Sequence, residues 1–258
     1  ALFRNANIIP DQISEEQIGF GIAPRLNALG RLSDANPSVE FFTTHNPSQA
    51  NILATHLEGL NSKRRLLSDQ IYQAAMSQIE RQPELLQYAA IVLSHPQWPA
   101  GVIGIVASRL VEEFNKPTIL LSIPEGQAAR GSARSIEGLH ITEAIAAQSE
   151  MLHGFGGHPM AAGLSLDSER IPDFRHALSR TIRKMMGPEA PEPTLPIDAY
   201  IDLDELGLDL VDDLRRLAPF GAGNPALILA TRDLHLVSQT TIGRDQKHLR
   251  LVVADQHG

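Results

Sequence analysis

The chain is 258 residues long, sets 22 Lys plus Arg against 30 Asp plus Glu for a formal charge of -8, and has no Cys. Zero Cys excludes disulfides, thiolate metal sites and cysteine nucleophiles together, and the longest apolar runs, such as 100–107, fall short of the ~18 to 20 residues a bilayer span needs. With 43% hydrophobic and 20% charged residues the composition is globular rather than disordered, so a cytoplasmic protein of about two domains is expected.

The acidic balance is local. Residues 187–213 hold nine acids and no Lys or Arg, and without them the charge moves from -8 to +1. Any polyanion site must therefore be a cluster rather than a basic face. The chain opens on Ala1 with no basic-then-apolar leader, which reads as a piece of a longer protein.

From 1 to about 46 the sequence is expected to be irregular, punctuated by Pro10, Pro24 and Pro37. Within it, 23–32 (APRLNALGRL) places Arg25 and Arg31 six apart with Asn27 between them. Two guanidiniums and an amide can line a phosphate track, or sit as a surface pair. Ser48 is then expected to cap a helix running to about Gln82, with Leu53, Leu57, Leu60, Leu67, Ile71 and Ile79 at helical spacing and Pro83 as its stop. Some 35 residues at ~1.5 Å each span about 50 Å, a length suited to joining domains. Lys63, Arg64 and Arg65 are expected on its solvated face.

An alternating pattern follows: strand 88–94, helix 102–114, strands 118–123 and 127–134, helix 141–152, strand 161–166 and helix 171–186. Strands alternating with helices predict an α/β fold with a helix-covered sheet. Residues 188–196, with four prolines, predict a linker. Beyond it come a short helix ending near Leu217, a Gly/Pro turn at 219–225, and strands near 226–230, 234–240 and 248–254, the beginning of a small β domain.

Three segments of the α/β region can carry chemistry. Residues 131–135 (GSARS) combine two hydroxyls and a guanidinium, donors suited to a terminal phosphate; an exposed strand edge is the plain alternative. Residues 154–163 (GFGGHPMAAG) predict a Gly-rich turn between a helix and a strand, where Gly156 and Gly157 let the backbone approach an anion and His158 can donate or exchange a proton. No Walker Lys follows, so this is not an ATP loop. Residues 98–104 (WPAGVIG) lead into a helix whose N-terminal amides favour an anion. The ten His form no ligand pattern and no metal site is expected; the lack of a Gly-x-Ser-x-Gly elbow argues against a serine hydrolase.

Together with 101–109 (GVIGIVASR) and 217–225 (LAPFGAGNP), these motifs resemble, in order, the C-terminal two-thirds of the RecJ family of bacterial single-stranded-DNA exonucleases, in the DHH phosphoesterase superfamily. The resemblance implies a 5′ to 3′ exonuclease of recombination and repair whose upstream catalytic domain holds two Mn or Mg ions on Asp and His ligands. It implies that 1–47 is the trailing edge of that domain, 48–83 the connecting helix, 84–188 a DHH-associated α/β domain and 195–258 an incomplete OB-fold. Ser132 and Arg134, with Ser135, would hold a 5′ phosphate. His158 on Gly156 and Gly157 would contact the phosphate near the metals, and Arg25, Asn27 and Arg31 would guide the strand. The implied partner is 5′-phosphorylated single-stranded DNA, bound by a monomer, and this segment alone would be inactive. Two positions depart from the pattern: Pro99 stands where a His is usual and Leu29 where an Ala is.

An oligoribonuclease or cyclic-dinucleotide phosphodiesterase of the same superfamily is a second reading, and a non-catalytic nucleic-acid-binding module a third. The long helix and the β domain favour the exonuclease, which needs a track beyond its cleft.

Overall fold

The computed structural model describes residues 1–10, 13–187, 194–243, 246 and 248–255. The chain divides into two compact units, Ala1–Pro193 and Thr194–Gly258.

The stretch expected to be irregular is helical: α1 (Leu2–Asn5), a π-helical turn (Gln17–Ile22), α2 (Ala23–Leu32) and α3 (Asn36–Thr43). Pro24 and Pro37 were breaks in the sequence reading, yet each sits in the first turn of its helix, where a missing N–H costs nothing and the fixed φ suits the helix. Leu2, Ile22 and Leu29 from this region pack with Ala54 and Leu57 in one apolar cluster.

The long helix α4 runs Pro47–Arg81, and its cap is Asn46 rather than Ser48. The Asn46 carboxamide oxygen accepts from the backbone N–H of Ser48 at 2.9 Å and of Gln49 at 3.4 Å, while Pro47 takes the first helical position. Asn46→Ala is expected to cost about 1 kcal/mol, read as a lower urea midpoint at unchanged slope; an unmoved midpoint would show the cap to be idle. The first half of α4 serves the cluster just described, and its second half, through Ile71, Tyr72, Ala75 and Ile79, serves another. Asn61, fully buried, sits between the two.

The α/β layer comprises β1 (Ile91–His95), α5 (Ala100–Phe114), β2 (Thr118–Ser122), β3 (Ala129–Arg134), α6 (Ile141–Ala146), β4 (Gly154–His158), β5 (Ala161–Leu166) and α7 (Ile171–Met186). The strand order is β1-β2-β3-β5-β4. The β1–β2 pair is parallel across the α5 crossover and the others are antiparallel. On one face α4 and α5 bury Ile91, Leu93 and Leu120. On the other, α6 and α7 bury Val92, Ile119, Leu121, Ala133 and Leu164 around Phe174. Each large apolar side chain so buried contributes roughly 1.5–3 kcal/mol.

Residues 154–163 are not one turn but a hairpin, β4 and β5 joined through Pro159 and Met160. A strand of three glycines, Phe155 and His158 lacks the β-branched signature; pairing with β5 gives it its form. The helix expected to reach 152 ends at Ala146, followed by a 3₁₀ turn at Ser149–Met151. The two sheet edges differ. Arg175 closes β1 by donating Nε and Nη2 to the Val92 carbonyl at 3.1 and 2.9 Å, whereas every residue of β4 is exposed.

In the second unit β6 (Ala199–Tyr200) pairs in parallel with β7 (Leu229–Ala230), and β8 (His235–Ile242) with β9 (His248–Ala254) in antiparallel, with α8 (Leu208–Arg215) between β6 and β7. The strand expected at 226–230 is two residues long. Asn224 ties the Gly/Pro turn, donating Nδ2 to the carbonyls of Leu217 at 2.8 Å and Pro219 at 3.0 Å. Most of the expected proline linker, 188–193, lies outside the described residues. Among the described residues no helix is long and apolar enough to cross a membrane.

Candidate functional site

Residues directly opposite each other in a sheet share a face, so the register can be read across the strands. One row runs Leu93, Leu120, Ser132, Gly163, Gly156 and the next Ile91, Thr118, Arg134, Ala161, His158. Each row is apolar on β1 and β2, where α5 covers it, except for Thr118. It turns polar at β3 and continues over small residues to the open edge. Ser132, Arg134, Gly156 and His158 therefore face one side. Arg134 and His158 are two strands apart, about 10 Å between Cα atoms, with only Ala161 between them. His158 is exposed, its carbonyl held by the Thr142 hydroxyl at 2.8 Å. A cationic wall, a floor without bulk and an imidazole on the far side make an open shelf.

The hairpin depends on Gly157, whose φ is +155° and where a Cβ would lie 2.2 Å from the Ala161 carbonyl oxygen. On the opposite side of the shelf, α5 comes close because of two glycines. A Cβ on Gly104 would lie 2.7 Å from both Ser132 Oγ and Arg134 Nη2, and one on Gly101 only 2.0 Å from the Arg31 carbonyl oxygen. The β3 pair and the end of α2 thus meet under the first turns of α5, which Pro99 precedes as N-cap and the buried Trp98 anchors.

Arg134 donates Nη1 to Ser132 Oγ at 3.0 Å and to the Ala133 carbonyl at 2.8 Å. Arg31 donates Nη1 to the Gly101 carbonyl at 3.1 Å. Burial, and after it the neighbouring Arg31 charge, hold Arg134 below the ordinary arginine value. Among the described residues no carboxylate lies within 4.0 Å of either guanidinium. Two partly buried cations with no neighbouring carboxylate among the described residues are suited to an anion.

The structure places other expected residues elsewhere. Arg25 is buried, with Nε 2.5 Å from Glu58 Oε2 and Nη1 2.5 Å from the Gly21 carbonyl, so its donors hold α2 to α4 and the preceding turn. Ser135 is also buried and donates to the Leu139 carbonyl at 2.8 Å, bracing the loop after β3. Asn27 is exposed on α2. Two residues were missed: Arg64, expected in solvent, is half-buried and donates Nε and Nη2 to the buried Asn61 at 3.3 and 3.0 Å. The available signal was Asn61 itself, four residues after Leu57 on the apolar stripe. Among the described residues no group of three or more His, Asp or Glu fits a metal ion.

Residues 85–184 match the DHHA1 domain family and 197–258 the RecJ OB domain family. The chain is 33% identical over 246 residues to the single-stranded-DNA-specific exonuclease RecJ of Bacillus subtilis, a match covering 95% of this chain and 31% of that protein. It is 30% identical over 260 residues to the same-named exonuclease of Escherichia coli, covering 98% and 44%. The chain belongs to the RecJ family. It spans less than half the length of these RecJ relatives. The structure of RecJ from Thermus thermophilus in complex with Mn²⁺ superimposes with a TM-score of 0.83 at 25% identity, covering 100% of this chain and 38% of that one. The corresponding Mg²⁺ complex gives 0.78 at 26%, covering 98% and 38%. The expected α/β architecture, a DHHA1 domain followed by a RecJ OB domain, is the one observed. The shelf of Ser132, Arg134, Gly156 and His158 belongs to the DHHA1 domain of this RecJ-family chain.

Proposed function

We propose that this chain is the substrate-gripping part of a 5′ to 3′ single-stranded-DNA exonuclease acting in recombination and repair. The observation that carries the reading is the pair of uncompensated guanidiniums, Arg31 and Arg134, beside Ser132 at one end of an open shelf that ends at His158. A terminal phosphate carries more charge than a diester and matches a cationic fork with a hydroxyl. Ser132 and Arg134 take the 5′ phosphate, and Arg31 the strand that follows. The low floor of Ala161, Gly163 and Gly156 passes the strand to His158, which donates to a phosphate oxygen as charge develops on it. A single strand can lay its backbone on this floor with its bases turned away.

RecJ structures are known with Mg²⁺ and Mn²⁺, and in this reading the enzyme hydrolyses its substrate with such ions. Within that reaction we assign this segment the grip on the strand and, through His158, a hydrogen bond to the phosphate oxygen as charge develops on it. It is expected to act as a monomer in the cytoplasm.

The test is fluorescence anisotropy at low salt with a 5′-phosphorylated single strand, its 5′-hydroxyl twin and a duplex. Tightest binding is expected for the phosphorylated single strand. Equal binding of the first two removes end recognition from this segment, and hydrolysis by this chain with added Mn²⁺ would place a metal centre within it.

A further inference from the structure

We propose that Arg64, held by Asn61, forms a second phosphate subsite in the groove between α4 and α5, where it receives an internal phosphodiester of the single strand whose 5′ end lies at Ser132 and Arg134. The inference rests on the reading above and extends it beyond the shelf.

The groove encloses about 350 Å³; Ile105 and Val106 form its floor and Arg64, Arg65, Ser68 and Arg109 its walls, joined by Asp69. Arg109 is fixed by stacking its guanidinium 3.5 Å over the Tyr72 ring, with a 3.4 Å contact to the exposed Asp69. Three guanidiniums against one carboxylate leave the groove cationic, and its apolar floor lowers the local dielectric in which they act.

Asn61 gives the groove a built character. It is 0% exposed, its oxygen accepts twice from Arg64, and its Nδ2 is buried without a hydrogen-bond partner among the described residues. A buried amide left half-satisfied costs stability, and a Leu here would extend the apolar stripe from Leu57. What the amide supplies is orientation: Nε and Nη2 of Arg64 are locked, and Nη1 is left with no protein acceptor among the described residues.

The groove continues the first site. Burial lowers the pKa of Arg64, with Arg65 and then Arg31 adding to it, and Arg31 acts on Arg134 in the same way. The geometry runs along α5: Arg31 Nη1 rests on the Gly101 carbonyl, Gly104 lies against Ser132 and Arg134, and Ile105, Val106 and Arg109 line the groove with Arg64, so successive phosphates can be met on one helix.

The experiment uses this chain with 5′-phosphorylated thymidine mononucleotide, dinucleotide and a longer single strand, across a salt series. Arg64→Gln is expected to leave the mononucleotide unaffected, to weaken the longer strand about ten-fold, and to make the salt slope shallower by about 0.7. Lys63→Gln removes the same charge from the same helix outside the groove and is expected to do less. Asn61→Leu is expected to reproduce Arg64→Gln, with the double variant no weaker than either single one; unchanged far-ultraviolet circular dichroism guards against unfolding. A loss from Lys63→Gln equal to that from Arg64→Gln reduces the effect to general electrostatics and overturns the subsite. A loss already on the mononucleotide merges Arg64 with the end site and overturns it too. If the wild-type chain shows no preference for a 5′ phosphate but Arg64→Gln still flattens the salt slope, the end-recognition reading fails and the internal-phosphate site stands. No binding by the wild-type chain overturns both.

Discussion

Arg134→Gln is expected to erase discrimination between 5′-phosphorylated and 5′-hydroxyl single strands, weakening the former on the order of ten- to a hundredfold and the latter little. The reasons lie in how the guanidinium is held. Its Nη1 is engaged by Ser132 Oγ and the Ala133 carbonyl, which fixes the plane of the fork and leaves its other donors to a ligand. The side chain is half-buried and next to Arg31, so an arriving dianion gains from two cations in a partly desolvated setting. Gln keeps a polar amide but stops two atoms short of the fork and removes the charge. Lys restores charge without the planar fork and is expected to recover only part of the discrimination. The ratio of the two dissociation constants is the measurement; equal losses on both strands would move Arg134 from the strand end to the backbone.

The sequence carried more of the sheet than of the site. Apolar strands such as 118–123 and the Leu/Ile spacing of α4 follow from burial, which the chain writes as periodicity. The Gly-rich β4 does not, because its extended form comes from pairing with β5 rather than from its own side chains. Prolines misled where they opened helices instead of ending them, at Pro24 and Pro37. Residue type alone could not separate Arg25 from Arg31. The two lie on one helix, and the partner Glu58, thirty-three residues away, decides that the first is structural. Arg64 was hidden for the converse reason: a cation in a run of cations reads as solvent-facing until the buried Asn61 beside it is seen. The grouping of Ser132, Arg134 and His158 on one face needed the hairpin register, which no local pattern specifies.

Gly101→Ala is expected to destabilise the Ala1–Pro193 unit by about 3 kcal/mol or more, at the upper end for a single methyl, and so to lower its melting temperature by roughly 6–12 °C. The added Cβ would lie 2.0 Å from the Arg31 carbonyl oxygen and 2.8 Å from its carbon. Both are backbone atoms, so relief requires the end of α2 or the start of α5 to move, and the Arg31 bond to the Gly101 carbonyl goes with it. Gly30→Ala, one residue from the same contact, meets nothing within 4 Å and is expected to raise stability by about 0.5–1 kcal/mol through helix propensity alone. Gly104→Ala separates stability from binding. The three atoms nearest its Cβ are side-chain ends of Ser132 and Arg134, which can swing aside, so melting is expected to change little while preference for a 5′ phosphate falls. If Gly101→Ala melts like Gly30→Ala, the close packing of α2 on α5 carries no energetic weight. Arg31 would then have to be held beside Arg134 by something other than the helix it touches.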